Sequence, residues 1–249
     1  MGRKVHPIGM RLGINQPWQG RWFAEGSTYR QQLHQDFAIR TLLFGLSSKG
    51  GSAANSRVLA LRKDLPETLL AGKAGVSRVD VERTPGKIRI AIHTAKPGIL
   101  IGRKGEGVKK IRQALEVLIG KKVDLDIKEI STPDMDAMLV ARNIADQLER
   151  RIAYRRAMKR SIQQAMRQGA KGIKIAVGGR LGGAEMARDV WLREGRVPLQ
   201  TLRANVDFAV TDANTSFGQI GIKVWIYKGE VTPEMEERVE STEGVYISE

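Results

Sequence analysis

The chain has 249 residues, with 42 Lys and Arg against 27 Asp and Glu, which gives a formal net charge of +15. A soluble domain typically needs a net charge of only about 2–8 in magnitude, so this excess indicates a polyanionic partner, most commonly a nucleic-acid backbone. The absence of cysteine excludes disulfides, thiolate nucleophiles and cysteine-ligated zinc, and three widely spaced histidines argue against a histidine metal site; no cofactor is expected. No apolar run in the sequence suits a membrane span or a signal peptide, so we expect a cytoplasmic protein.

The first 28 residues are rich in glycine, proline and basic side chains and show no helical or strand period. This composition is typical of a segment that becomes ordered on a partner. We therefore expect a basic N-terminal arm over residues 1–28, with Arg3, Lys4 and Arg11 as candidate RNA contacts. A helix is predicted next, and its expected buried positions are Phe37, Ile39, Leu42 and Leu43.

Residues 29–130 carry the pattern of one domain. Residues 45–75 within it are loop-like in part and are interpreted as an insertion or extended connection. Alternating apolar residues on both sides of Thr84–Lys87 predict a β-hairpin, because Pro85 presets φ at the second turn position and Gly86 accepts a positive φ at the third. The predicted element order is helix, strand, strand, helix, helix, strand.

The sharpest local motif is Ile101–Gly105, a Gly-x-x-Gly turn between a short helix and a longer one. Glycine allows tight backbone angles, and the amides that begin the next helix favour a phosphate. In KH domains such a loop clamps the backbone of a single strand, so we predict a type II KH domain, with a chance helix–helix turn as the alternative. No Gly-Lys-Ser or Gly-Lys-Thr follows, which excludes a Walker loop. The RNA-binding residues predicted here are Gly102, Arg103, Lys104, Gly105, Lys109 and Lys110.

A second domain is predicted over residues 131–229. Thr132 is a suitable N-cap for a helix that runs to about Arg150, and another helix is expected from about Ala153 to Gln168. Four strands are expected near Ile173–Val177, Asp189–Glu194, Asn205–Thr211 and Ile220–Tyr227. The fold class is therefore α+β: an N-terminal type II KH domain (αββααβ), followed by a domain in which two helices pack on a four-stranded sheet.

The second helix of this domain is strongly basic. No acidic residue interrupts the sequence from Arg150 to Gly169. At about 100° per residue its cations share one side, while the opposite side holds Ala153, Tyr154, Ala157, Met158 and Ala165. Ordinary solvated helices mix both signs of charge, and clustered cations repel one another unless phosphate neutralises them. RNA binding is therefore predicted for Arg150, Arg151, Arg155, Arg156, Lys159, Arg160 and Arg167.

Three other features remain more open. Gly178–Gly183 could form an anion nest of backbone amides with Arg180, and a plain flexible connection is nearly as good an interpretation. Trp191, Trp225 and Tyr227 lie in predicted strands and are assigned to the core or to an interface. Residues 230–249 form an acidic tail, which we interpret as solvated and mobile; shielding of the basic body is the alternative.

Several ordered blocks of the sequence resemble the S-three family of small-subunit ribosomal proteins. The blocks cover nearly the whole chain: Gly2–Pro7, Arg11–Gly13, Pro97–Gly105, Leu148–Arg151, Tyr154–Arg160, Gly169–Lys174, Gly179–Glu185, Arg193–Pro198 and Gly221–Gly229. The resemblance implies a KH domain and an α+β domain in the head of the small subunit, bound to its rRNA. It also implies a role along the channel through which mRNA enters, where Arg155, Arg156 and Lys159 match the residues that help to open mRNA structure.

The implied partners are small-subunit rRNA, mRNA, the head proteins S-ten and S-fourteen, and proteins S-four and S-five at the mRNA channel. No enzymatic activity is expected. Two alternatives remain: a free RNA chaperone or assembly factor, and a metal-dependent nuclease. The nuclease would use Asp124, Asp126, Asp134 and Asp136, although a solvated strand face and a helix start explain these residues better.

Overall fold

A computed structural model of the chain describes residues 4–44, 61 and 74–231. The chain divides into two compact units, one within residues 18–131 and one within residues 1–17 together with 132–249. The predictions for Arg3, for nearly all of the 45–75 segment and for the tail beyond residue 231 lie outside the described residues. No helix within the described part of the chain is both long and apolar enough to cross a bilayer.

The first unit contains a four-stranded sheet together with α-helices. Its elements are β1 (Gly20–Arg21), α1 (Gly26–Phe44), β2 (Val76–Thr84), β3 (Lys87–Thr94), α2 (Pro97–Ile101), α3 (Glu106–Ile119) and β4 (Val123–Glu129). The strand order is β1-β2-β3-β4; β2 and β3 are antiparallel, whereas the β1–β2 and β3–β4 pairs are parallel. The predicted αββααβ arrangement of a type II KH domain is confirmed.

Alternating burial explains the strands of this unit. In β3, Ile88, Ile90 and Ile92 are buried between more exposed neighbours, and they pack with Leu115 of α3. The β2–β3 turn has the expected geometry, since Gly86 adopts a φ of 89°. The predicted burial of Phe37 is wrong because its side chain is 60% exposed, whereas Ile39, Leu42 and Leu43 are buried.

The second unit packs two helices on one face of an antiparallel sheet. Its elements are α4 (Ala137–Glu149), α5 (Tyr154–Arg167), β5 (Gly172–Gly179), β6 (Arg188–Gly195), β7 (Ala204–Thr215) and β8 (Gly218–Glu230). The strand order is β6-β5-β8-β7, and every pairing in it is antiparallel. Inward residues such as Ile173, Ile175 and Val224 form one core with the buried faces of both helices. The predicted two-helix, four-stranded architecture is confirmed.

The start of α4 differs from the sequence-based expectation. Pro133–Met135 forms a separate 3₁₀ turn, and α4 begins at Ala137. The side chain of Asp136 caps the helix, because its Oδ1 accepts hydrogen bonds from the amides of Met138 (3.0 Å) and Leu139 (3.1 Å). Thr132 makes no such capping bond. Two plausible caps lie four residues apart in this sequence, and the downstream one is used.

Candidate nucleic-acid interface

The Gly-x-x-Gly turn of the first unit has a tightly wound backbone. After α2, Gly102 adopts a φ of 69°, and the 3₁₀ turn Arg103–Gly105 follows, with Lys104 at φ 51° and Gly105 at φ 76°. These positive φ values suit glycine, and a lysine there is strained. Gly102, Arg103 and Lys104 are exposed, and Gly105 is half-buried. The turn therefore presents its backbone and two cations to solvent.

A third glycine, Gly107, explains how the turn is held. A Cβ on Gly107 would lie 2.3 Å from the carbonyl oxygen of Leu100, so only glycine allows α2 to pack this closely on the start of α3. Because Gly107 has no side chain, the backbone of α2 packs directly against the start of α3, beside the turn. Sequence reasoning missed Gly107, although its place just after the motif was a usable signal.

Four cations surround this turn: Arg103, Lys104, Lys109 and Lys110 are all exposed. None of the four has an ion-pair partner among the described residues. An unneutralised cluster of exposed cations can bind a phosphate by charge. The structure thus brings together the six residues predicted at this motif, which we call the GxxG loop.

The basic helix α5 of the second unit separates its charges from its apolar residues. Ala157, Met158, Ile162 and Ala165 are buried against the sheet. The exposed side chains are Arg155, Arg156, Lys159, Arg160 and Arg167. The helical period therefore placed the cations correctly on the solvent side. The prediction for Ala153 is wrong, since it lies exposed just before the helix.

The exposed side of α5 forms a shallow groove of about 550 Å³. Its lining is Arg155, Arg156, Lys159, Arg160 and Gln163. No ion pair to these cations is found within the described residues, and the nearest polar contact is from Arg155 Nε to the Tyr154 hydroxyl at 3.2 Å. Four like charges in one groove repel one another unless an anion is present. We call this lining the basic groove.

Arg150 and Arg151 precede this helix and are also exposed. Arg151 has a φ of 61° in the connection between α4 and α5, an uncommon conformation for a residue with a side chain. Its amide donates to Leu148 O at 2.9 Å, and the amide of Ile152 donates to Gln147 O at 3.0 Å. The connection is thus tightly wound, and it holds Arg151 at the end of α4.

The Gly178–Gly183 segment leads from β5 into a short turn. The amide of Gly183 donates to Arg180 O, and that of Ala184 donates to Leu181 O. Arg180 Nε donates to Ala184 O at 2.9 Å, and its guanidinium lies over the ring of Phe217 at 5.6 Å. Because these groups already have internal partners, the geometry favours the connecting turn over an anion nest.

Arg11 is a clear correction to the predicted RNA contacts. Its side chain is fully buried in the second unit. The guanidinium donates to five backbone carbonyl oxygens: Ala204 (2.8 Å), Pro7 (2.8 Å), Thr201 (2.8 Å), Pro198 (3.2 Å) and Leu199 (3.2 Å). Burial lowers the pKa of Arg11. The buried guanidinium is inaccessible to phosphate, so Arg11 is a structural residue.

The same contacts correct the interpretation of residues 1–28 as an arm that awaits a partner. Residues 4–17 pack on the second unit of their own chain, where His6 meets Phe208 edge to face at 4.9 Å. Residues 20–21 instead add a short strand to the KH sheet. The expectation failed because a segment without periodicity does not reveal whether its partner is another molecule or a distant part of the same chain.

The sheet face opposite the helices carries an aromatic and basic patch that sequence reasoning missed. Lys174 Nζ lies 5.4 Å from the ring of Trp191 and 5.1 Å from that of Trp225. Burial, with repulsion from Lys4 and Arg193, lowers the pKa of Lys174. Trp191 is 61% exposed, which excludes the core and leaves an interface as the interpretation given for it. The alternation of Ile173, Lys174 and Ile175 was the signal that Lys174 faces outward.

Two of the four carboxylates considered for a nuclease, Asp126 and Asp136, have other partners in the structure. Asp126 lies 3.9 Å from Arg89 in an exposed ion pair, and Asp136 caps α4. Across the part of the chain that the structure describes, no group of three or more His, Asp or Glu side chains is placed to hold a metal ion. The geometry gives a metal-dependent nuclease no support.

Comparison with known proteins agrees with both units. A profile described as "KH domain" matches residues 60–135, and one described as "Ribosomal protein S3, C-terminal domain" matches residues 144–226. Proteins named "Small ribosomal subunit protein uS3" are similar over most of their length. The relative from Pelotomaculum thermopropionicum is 49% identical over 94% of this chain and 91% of its own length. The relative from Caulobacter vibrioides is 52% identical over 93% of this chain and 83% of its own length.

The chain belongs to the uS3 family. The family resemblance inferred from the ordered sequence blocks is therefore confirmed. A third relative, from Desulforamulus reducens, is 48% identical over 94% of this chain and 95% of its own length. The KH profile begins at residue 60, so it includes the second half of the segment that was interpreted as an insertion.

Proposed function

We propose that this chain is a structural, non-enzymatic component of the small ribosomal subunit in the cytoplasm, and that it binds the rRNA of the subunit head. The observation that carries the RNA-binding part of the proposal is the acid-free face of α5, whose four groove-lining cations have no ion-pair partner among the described residues. Such a face is stabilised by phosphate. The GxxG loop supplies a second, independent RNA contact. The name of the relatives agrees with this role.

Within this role, the basic groove is proposed to contact mRNA where the message enters the subunit. Arg155, Arg156 and Lys159 line the groove and are exposed, as an electrostatic guide for a moving strand requires. Contacts to phosphate carry no sequence information, which suits a site that meets every message. Among the other predicted contacts, Lys4, Arg150 and Arg167 are assigned to rRNA. S-ten, S-fourteen, S-four and S-five are the proposed neighbours, on the basis of the family resemblance.

Sedimentation of the full chain with ribosomal subunits tests the structural role. A stable component is expected to remain with the small subunit through a high-salt wash, because it is held by many contacts within an assembled particle. A chaperone or assembly factor held mainly by phosphate contacts is expected to dissociate, because such contacts weaken steeply with salt. Recovery of the chain only in the free fraction after the wash contradicts the structural role.

A triple substitution tests the groove. Arg155→Ala, Arg156→Ala and Lys159→Ala together are expected to weaken binding of the full chain to single-stranded RNA and to reduce the slope of log K against log salt by about 3. The matched control is Lys87→Ala, Lys121→Ala and Lys122→Ala, which removes the same charge from exposed positions outside both proposed surfaces. In translation assays, the groove variant is expected to slow on structured messages. Equal behaviour of the two triple variants would overturn the groove assignment.

A further inference from the structure

The second unit contains a pocket beside the basic groove that the proposed phosphate contacts do not use. Its volume is about 510 Å³, within the usual range for a small-ligand site. It lies where the α4–α5 connection, the turn after β5 and the β7–β8 hairpin meet. Six residues provide its apolar and aromatic lining: Leu148, Ile152, Tyr154, Leu181, Phe217 and Ile220. We call it the Phe217 pocket.

The pocket has apolar walls, and two of its large apolar side chains are partly exposed at the surface. Leu181 and Ile220 are buried members of the core, whereas Phe217 is 54% exposed and Ile152 is 37% exposed. An exposed apolar patch that is rimmed by polar residues is typical of a binding site. Two cations, Arg151 and Arg180, and one carboxylate, Glu149, also line the pocket. The site therefore combines apolar walls with positive charge.

The walls of the pocket are fixed by specific contacts. A Cβ on Gly183 would lie 3.0 Å from the ring of Phe217, so the glycine allows this ring to rest on the backbone. The Arg180 guanidinium lies 5.6 Å from the centre of the same ring, which stays 54% exposed, and Arg180 Nε is held by Ala184 O. The amide of Asn214 donates to Glu149 Oε1 at 2.9 Å, which joins the hairpin to the end of α4. The pocket is preorganised, which lowers the entropic cost of binding a ligand.

Tyr154 connects the pocket to the basic groove. It lines the pocket, and its hydroxyl accepts a hydrogen bond from Arg155 Nε at 3.2 Å. The guanidinium of Arg155, which lines the groove, lies 5.9 Å from the tyrosine ring. A ligand chain whose phosphates occupy the groove therefore passes directly beside an apolar pocket.

We propose that the Phe217 pocket receives an unstacked base of the RNA strand whose phosphates lie in the basic groove, an inference that rests on the proposed function. A nucleobase has an apolar face, polar edges and a covalent link to phosphate, and it stacks on aromatic rings and arginine guanidinium planes. The pocket offers apolar walls, the Tyr154 and Phe217 rings and two arginine guanidinium groups, and it lies beside the basic groove. It is sequence-tolerant, because every base has such a face. An apolar side chain of a neighbouring protein is the competing occupant, and Arg151 and Arg180 favour the base.

The test measures binding of the full chain to two RNAs of equal length and charge, an oligouridylate of about 12 nucleotides and its fully abasic counterpart. Phe217→Ser is expected to weaken binding of the oligouridylate by about fivefold, since one stacking contact is lost, and to leave binding of the abasic strand unchanged. Phe217→Leu keeps an apolar contact but loses the aromatic stacking. Its loss of oligouridylate affinity is expected to be smaller than that of Phe217→Ser. The control, Val210→Ser, alters an exposed apolar residue in β7 of the same hairpin and is expected to change neither affinity.

The outcomes distinguish failure of the base pocket from failure of the proposed function. If Phe217→Ser binds both strands as the wild type does, while the groove variant weakens both, the base pocket is wrong and the groove stands. If the groove variant leaves both affinities unchanged, the proposed function fails. If Phe217→Ser removes a neighbouring protein from reconstituted subunits without altering the difference between the strands, the occupant is a protein and the base assignment is overturned. Thermal unfolding of each variant establishes that the unit remains folded.

Discussion

Residues 4–17 and helix α5 are both basic segments, and the sequence predicted RNA contacts in both. The structure gives their arginines opposite environments. Arg11 is fully buried and donates to five backbone carbonyl oxygens, whereas Arg155 and Arg156 are exposed along a groove. The difference is periodicity: in a helix the apolar residues fix which side faces solvent, and an aperiodic segment provides no such reference. Positive charge alone therefore does not identify a nucleic-acid contact.

Adjacent residues of α5 provide the largest contrast. Met158 is fully buried, so Met158→Ala is expected to lower the free energy of unfolding by about 3 kcal/mol through a lost contact and a cavity. Lys159→Ala is expected to change stability by less than about 0.5 kcal/mol and to weaken RNA binding about threefold. Urea denaturation and RNA titration of the two variants check this. A large loss of stability in Lys159→Ala would contradict the assignment of its side of the helix to RNA.

Arg11→Ala tests the buried arginine itself. The substitution leaves buried carbonyl oxygens without donors, and we expect the free energy of unfolding to fall by about 2 kcal/mol. Amide exchange should rise at residues 12–16, which this side chain anchors, while RNA affinity changes little. Arg30→Ala, at an exposed position in α1, is the control and should alter neither quantity. A strong loss of RNA affinity with unchanged exchange would restore Arg11 as an RNA contact.

The smallest expected effect concerns Lys104 in the GxxG loop. Lys104 holds a φ of 51°, which glycine adopts without strain, so Lys104→Gly is expected to raise the free energy of unfolding by about 0.5 kcal/mol. Lys110→Gly, inside α3, is expected to lower it by about 0.7 kcal/mol. Each variant removes one exposed charge, and both should weaken RNA binding by a similar factor. Opposite changes in stability would show that the backbone conformation differs at the two positions. Equal losses of RNA affinity would show that the charge acts in the same way at both.

Much of the fold was accessible from the sequence because it depends on local patterns. The alternation around Ile88–Ile92 predicted β3, and the turn chemistry of Pro85 and Gly86 predicted the hairpin. The helical period of α5 placed its basic face correctly. The start of α4 was wrong because Thr132 and Asp136 are both acceptable caps, and tertiary packing decides between them.

The candidate site was only partly predictable. The GxxG loop and the basic groove each occupy one continuous stretch of chain, so their residues could be recognised by spacing. The Phe217 pocket combines three connections far apart in sequence, and no local pattern joins Tyr154, Leu181 and Phe217. The patch at Lys174 depends on the register of β5 with β6 and β8, which single strands do not specify.

The anchoring of Arg11 has a consequence for synthesis of the chain. One of its acceptors, the carbonyl of Ala204, lies 193 residues downstream. At a translation rate of about 5–20 residues per second, the N-terminal segment leaves the ribosome roughly 10–40 s before that acceptor is made. During this interval the guanidinium of Arg11 lacks that acceptor, whereas the last strand of the KH unit, β4, ends at Glu129 and is made before Ala204. Burial of this cation therefore has to wait for synthesis of the second unit.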